Sequence, residues 1–285
     1  AERAPVSEEP ISQVLKIDFL RLELGYGLLA LINEGQDGQR LTDQIKALRR
    51  QMAVEMGFVM PAVRIQDNMQ LPANNYIMRV KEIEAGRGDL RPNMLLVMDP
   101  RGEDITITGE STNEPTFGLP AMWIDMQSRE EAMFRGYTVV DAPTAIATHI
   151  NAVIRESASE LLGQDETQQL LDKVATRYPK LVSSLVPDLL PLSTVTQVLQ
   201  NLLAESVPVK DMRNIIDALT AHAKENQDAS HLTSLVRPKL GRLICQPLVD
   251  ETGTLTVITL APDLEKLLES SRAGAETDHI TLDPT

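Results

Sequence analysis

The sequence predicts an α+β fold made of several small subdomains, and three patterns along its 285 residues carry that prediction. Residues 15–140 alternate short β-type stretches with brief helical ones, separated by clusters of Pro, Gly, Asn and Asp. From 142 to about 243, apolar residues recur almost without interruption at helical spacing. After that, a strand-type stretch, "TLTVITL", and a helical one, "PDLEKLLES", begin another α/β unit.

The elements follow in order. "DFLRLEL" alternates apolar and polar residues as a half-buried strand does. Beyond Asp37-Gly38, the stripe Leu41, Ile45, Leu48, Met52, Met56 predicts a helix that Gly57 ends as its C′ residue. "AVRIQ", "NYIMRVKEI", "MLLVMD" and "DITIT" read as strands, "SREEAMFRG" as a short helix, and "YTVVD" as a further strand. Asp141 is placed to cap the helix "APTAIATHINAVIRESASELL", with Ile146, Ile150, Val153, Ile154 and Leu161 on its stripe and Gly163 as its stop. Four more stripes predict a helical bundle: Leu170, Leu171, Val174, Tyr178; Val195, Val198, Leu199, Leu202, Leu203; Met212, Ile215, Ile216, Leu219; and Leu232, Leu235, Val236, Leu240, Leu243, with a bend at Pro238.

Composition narrows the function. Only 3% of residues are aromatic against 42% hydrophobic, so Leu, Ile, Val, Ala and eleven Met must fill the core. A net charge of -14 spread along the chain excludes nucleic acid as a partner, because binding it requires Lys and Arg to neutralise phosphates. The single Cys245 excludes an internal disulfide framework and any multi-cysteine metal site. No apolar run reaches the roughly 20 residues of a membrane span. The opening "AERAPVSEEP" reads as an acidic linker, and the closing "DHITLDPT" ends where a helix would start, so a fragment of a longer protein is expected.

Converging chemistry is not evident. There is no phosphate loop, no GxSxG elbow, and the four His are scattered without metal-ligand spacing, so the expectation is no catalytic residue, no metal and no cofactor. His149 sits beside an apolar stripe and is expected to be a hydrogen-bonded structural residue, while Cys245 is expected to be a small core residue. The "GRGD" at 86–89 is expected in a strand-to-strand turn, which would account for both glycines. More pointed is "NEPTFGLPAMWID" at 113–125, which places Phe117 and the only tryptophan, Trp123, among turn formers: such rings either seal a small core or are held out for a partner.

Longer stretches carry a family likeness. "ELGYGLLALI", "LTDQIKALRRQMAVEMGFVMPAVRIQDNMQLPANNYIMRVKEIEAGRGDL", "EPTFGLPAMWI", "GYTVVDAPTAIATHI", "LVPDLLPLSTVTQVLQNLLAESVPVKDMRNIIDAL" and "LTSLVRPKLGRLI", in that order from about 15 to 270, resemble the cytosolic domain of the FHIPEP family, the export-gate proteins of flagellar type III secretion. The resemblance implies a linker at 1–14, a first α/β subdomain from 15–92 plus 142–162, an inserted α/β subdomain at 93–141, a helical-bundle subdomain at 163–243 and the start of a truncated C-terminal α/β subdomain at 244–285. It also implies a non-catalytic docking platform at the cytoplasmic face of the bacterial inner membrane. Its partners would be flagellar export chaperones with their substrates, other export components including the ATPase complex, and further copies of itself in a ring. The family's chaperone- and substrate-binding positions map by motif onto Glu114 and Phe117 of "EPTFG" and Thr148 of "ATHI", with Glu114 standing where Asp is usual and expected to supply charge at the rim; Trp123 is expected in the core of the inserted subdomain. Two rivals remain open at this point: an injectisome export-gate paralogue with the same role, and an uncharacterised enzyme with a pocket between subdomains.

Overall fold

The computed structural model describes residues 17–33 and 41–272. The linker at 1–14, Asp37-Gly38 and the closing "DHITLDPT" lie outside them. Two small sheets and a set of helices make up a mixed α/β architecture.

The first sheet has the order β2-β1-β3-β4, from β1 (Leu20–Leu24), β2 (Val63–Asp67), β3 (Asn75–Val80) and β4 (Ile83–Asp89). β1 runs parallel to β2 and antiparallel to β3, and β3 antiparallel to β4. Period-two alternation gives the sheet one apolar face, on which Leu20, Leu22 and Leu24 stand opposite Val80, Met78 and Tyr76, all buried. On the other face Arg21 stands opposite Arg79, a like-charge pair made tolerable by Glu23, whose carboxylate takes Arg79 at 2.9 Å, Arg21 at 3.2 Å and Asn68 at 2.8 Å. Helix α1 (Leu41–Met56) buries the whole predicted stripe, and Gly57 follows it at φ +93, where its backbone also passes so close to Lys210 that no Cβ would fit.

The second sheet has the order β6-β7-β5-β8, entirely antiparallel, from β5 (Met94–Met98), β6 (Glu110–Asn113), β7 (Pro120–Asp125) and β8 (Thr138–Asp141). Leu95, Val97 and Ile124 on one face form a core with Ile107 and with Ala132 of helix α2 (Arg129–Phe134). The alternate residues Leu96 and Trp123 pair on the opposite face. Helix α3 (Ala142–Glu156) leaves β8 directly, its Asp141 N-cap accepting the Thr144 N–H as the sequence predicts, and packs on β8, β5, β4 and α1. An ion pair between Arg155 and Glu55 fastens α3 to α1.

Helices α4 (Gln164–Arg177), α5 (Leu192–Ala204), α6 (Met212–His222) and α7 (Ala229–Lys239) pack on one another and bury most of the predicted stripes; Tyr178 stays partly exposed. The described residues divide into two compact units, one up to Leu240 and one from Gly241. The second holds short turns at 241–248 and helix α8 (Pro262–Arg272).

Several expectations are corrected. "NYIMRVKEI" is not one strand: the chain reverses at Lys81 and Glu82, whose φ of 48° and 69° form a two-residue hairpin turn of the kind usually built from Asn or Gly. Gly86 and Gly88 consequently lie inside β4 and not in a turn. "DITIT" makes no strand, because Ile105 and Ile107 serve the core of the second sheet while Glu110–Asn113 take the pairing with β7. The helix expected to run to Leu162 breaks at Ser157, and Gly163 is the N-cap of α4. Pro238 does not bend a continuous helix; it sits in the last turn of α7, where losing its N–H costs one bond and the helix stops. "TLTVITL" makes, among the described residues, one bridge between Val249 and Leu255, so without a neighbouring row of backbone groups it stays irregular and exposed. Cys245 is exposed, because the short turn that carries it buries none of its residues.

Candidate functional site

Between β6 and β7 the chain makes a tight turn, Glu114-Pro-Thr-Phe-Gly-Leu119, in "EPTFGL". The Glu114 N–H donates to the Leu119 carbonyl at 2.8 Å and the Gly118 N–H to the Glu114 carbonyl at 2.9 Å, with Gly118 supplying the positive φ of 67°. Inside the turn the Glu114 carboxylate acts as a helix cap does: one oxygen accepts from the Thr116 N–H at 2.8 Å, the other from the Phe117 N–H at 2.7 Å. Glu114 is 5% exposed, so the carboxylate expected at the rim is buried and shapes the turn.

That turn projects Phe117, 74% exposed, with Leu119 also exposed beside it. Trp123, six residues on, is 1% exposed on the sheet face. The two rings thus take opposite fates, with Trp123 in the core as expected from the sequence. Exposure alone does not single Phe117 out, since Phe134 at the end of α2 is more exposed still. What separates them is that the turn under Phe117 is tied from within by a buried charge.

Thr148 is exposed on α3 and its hydroxyl donates back to the Thr144 carbonyl at 2.8 Å, leaving its methyl and the oxygen's lone pairs available. Its neighbour His149 is buried, and the Tyr76 hydroxyl meets His149 Nδ1 at 2.7 Å, as the sequence expectation of a hydrogen-bonded structural histidine requires. Burial pushes the Tyr76 hydroxyl far up, and the Glu114 charge adds to the push. Burial holds the His149 imidazole below its ordinary range, against the opposing pull of Glu114 and Glu156. Glu114 and Phe117 thus share one turn, and Thr148 is exposed on α3. Leu119 and Tyr76 were not singled out from sequence: Leu119 is one apolar residue among turn formers, and Tyr76 reads as an ordinary strand residue.

Two clefts lie elsewhere, one of about 330 Å³ lined by Asn201, Glu205, Thr233 and Arg237 among others, one of about 240 Å³ lined by Lys173, Arg177, Tyr178, Lys210 and Arg213 among others. Neither includes Glu114, Phe117 or Thr148. Among the described residues no group of three or more His, Cys, Asp or Glu could hold a metal ion, and no helix is long and apolar enough to cross a membrane.

One helix, α3, packs on a strand of each sheet. The chain belongs to the FHIPEP family, whose model matches residues 1–285. It is 45% identical over 271 residues to the flagellar biosynthesis protein FlhA of Caulobacter vibrioides, a match covering 95% of this chain and 39% of that protein. With FlhA of Escherichia coli K12 the identity is 43%, covering 96% and 40%. The chain thus spans about two fifths of the length of these relatives. In fold it is similar to the Chlamydia pneumoniae CdsV protein, with a TM-score of 0.78 at 24% identity, covering 93% of this chain and 78% of that one. It is also similar to the nonameric EscV cytosolic domain from the type III secretion system, with a TM-score of 0.66 at 21% identity, covering 93% and 77%.

Proposed function

We propose that this chain is the cytosolic docking part of a flagellar type III export gate, receiving export chaperones with their substrates at the Phe117 turn and handing the substrates on without catalysing a reaction itself. The observation that carries the reading is an aromatic ring held 74% exposed by an internally capped turn, in a chain of this family. An apolar anchor with polar surroundings suits a partner that must be released after each round. Identity above 40% to flagellar relatives, against 24% and 21% to the two secretion-system structures, favours the flagellar branch over an injectisome paralogue. The reading places the chain at the cytoplasmic face of the inner membrane, joined to a membrane-embedded part of the protein. It also makes copies of the chain neighbours in a ring that works with other export components, including the ATPase complex; the nonameric assembly of EscV supports this. Within the chain, 15–92 with 142–162, the insertion at 93–141, the helical 163–243 and the start of a fourth part at 244–285 are the proposed subdomains. Supporting this division, each sheet falls within one segment and α3 follows β8 directly.

The test is titration of purified flagellar chaperone–substrate complexes against the chain and its variants. Phe117→Ala and Thr148→Met are expected to weaken binding by roughly 30-fold or more, the scale of an interface hot spot. Unchanged affinity of both variants for every complex that the unaltered chain binds, or no binding by the unaltered chain, would remove the docking role.

A further inference from the structure

A buried pair joins the two sides of this site. Tyr76 on β3 and His149 on α3 are 73 residues apart, hydrogen-bonded at 2.7 Å, with ring centroids 5.8 Å apart and planes at 69°. Beneath them β4 carries glycine at alternate positions. A Cβ on Gly88 would lie 2.5 Å from the Tyr76 hydroxyl oxygen, and one on Gly86 would lie 3.0 Å from Cε1 and Nε2 of His149 and 2.9 Å from Val153 Cγ2. Glycine weakens a strand interior, so two on one face mark a surface that must be left bare for something to approach. Arg87 between them is turned the other way, out to Glu84. The charge of Glu114 also acts on both groups.

We propose that the Tyr76–His149 pair, seated on Gly86 and Gly88, is a positioning device that sets helix α3, and with it Thr148, on strands β3 and β4. The proposal rests on the docking reading for its purpose, though not for its geometry. With the imidazole neutral and its proton on Nε2, the Tyr76 O–H can donate to Nδ1. A charged imidazole would carry a proton on Nδ1 as well, and the Tyr76 O–H would have to turn from it in a buried space. Tyr76 from β3 and bare backbone from β4 face His149, and the charges of Glu114 and Glu156 act on it.

Amide hydrogen exchange on the full chain tests this without any partner. Tyr76→Phe keeps the shape of the ring and removes the bond. It is expected to speed exchange in α3, β4 and residues 114–119 by roughly threefold to tenfold, the value of one hydrogen bond, while α5 and α6 exchange as before. His149→Leu should do the same or more, whereas His149→Asn, which can place an acceptor near the position of Nδ1, should restore most of the protection. Faster exchange to the same degree in every protected helix, or no change anywhere, would overturn the positioning role. Chaperone affinity measured alongside separates the two claims: Phe117→Ala leaves the pair intact, so its unchanged affinity would sink the docking reading and leave the exchange result standing.

Discussion

Phe117 and Trp123 are carried by one hairpin, and what separates their environments is the backbone each stands on. Trp123 belongs to β7, a strand paired on both sides, where alternation assigns it to a face with Leu96 and leaves it no route to water. Phe117 stands in a turn whose N–H groups are occupied by the Glu114 carboxylate, and nothing covers its ring. One ring of the hairpin thus serves cohesion and the other stands at the surface, as Phe134 also does.

Substitutions test this contrast from either end. The largest effect is expected at Trp123→Ala, which should cost about 3–5 kcal/mol in denaturant unfolding, as truncation of a fully buried ring does. A loss below about 1 kcal/mol would mean that the sheet closes without it. Next comes Glu114→Ala, which leaves two turn N–H groups without their acceptor. About 1–2 kcal/mol should be lost, the usual scale of a removed cap, and affinity for chaperone complexes should fall as well although the ring is untouched. If stability fell and affinity did not, the turn would hold Phe117 without help from its capping carboxylate.

Acidification should act on α3 and the turn before it acts elsewhere. The folded chain holds His149 below the ordinary value of about 6.5, so the unfolded chain binds its proton more readily and stability rises with pH through that range. The contribution is complete above about pH 6.5 and declines as pH falls below it; His149→Asn should flatten this part of the profile. Glu55 and Glu205 are held below the carboxylate range by hydrogen bonds, Glu55 by Gln51 and then Arg155, Glu205 by Arg237. Their stabilisation is lost only at lower pH, below about 4.5, which keeps the two windows apart. The smallest effect on stability is expected at Phe117→Ala, within about 0.5 kcal/mol, as for other exposed residues. A loss on the Trp123 scale would show that the ring is covered in solution and would erase the contrast.

How far the sequence reached varies by element in a way that follows contact range. The stripe from Leu41 to Met56, the Asp141 cap and the stripes of α5 and α6 were legible because a helix buries residues by their spacing along the chain itself. The hairpin at Lys81-Glu82 was not, since neither residue type advertises a positive φ; there the turn is held from outside, by the Phe19 carbonyl accepting the Lys81 N–H and by Arg21 pairing with Glu82. At the site, the family resemblance pointed to Glu114, Phe117 and Thr148 but could not tell a buried cap from a rim charge.

Periodicity and near neighbours, both readable along the chain, were enough to place most helices and a core tryptophan in β7, while the resemblance of long stretches pointed to the family. Residues whose partners are remote took their meaning from the folded chain alone. Gly86 and Gly88 look like turn formers until Tyr76 and His149 come to lie on them. Glu114 looks like surface charge until the turn folds around its carboxylate. Cys245 looks like core until the short turn that carries it leaves it in water. In each case the side chain's role is set by atoms that the chain brings close only on folding, and no local pattern encodes that approach.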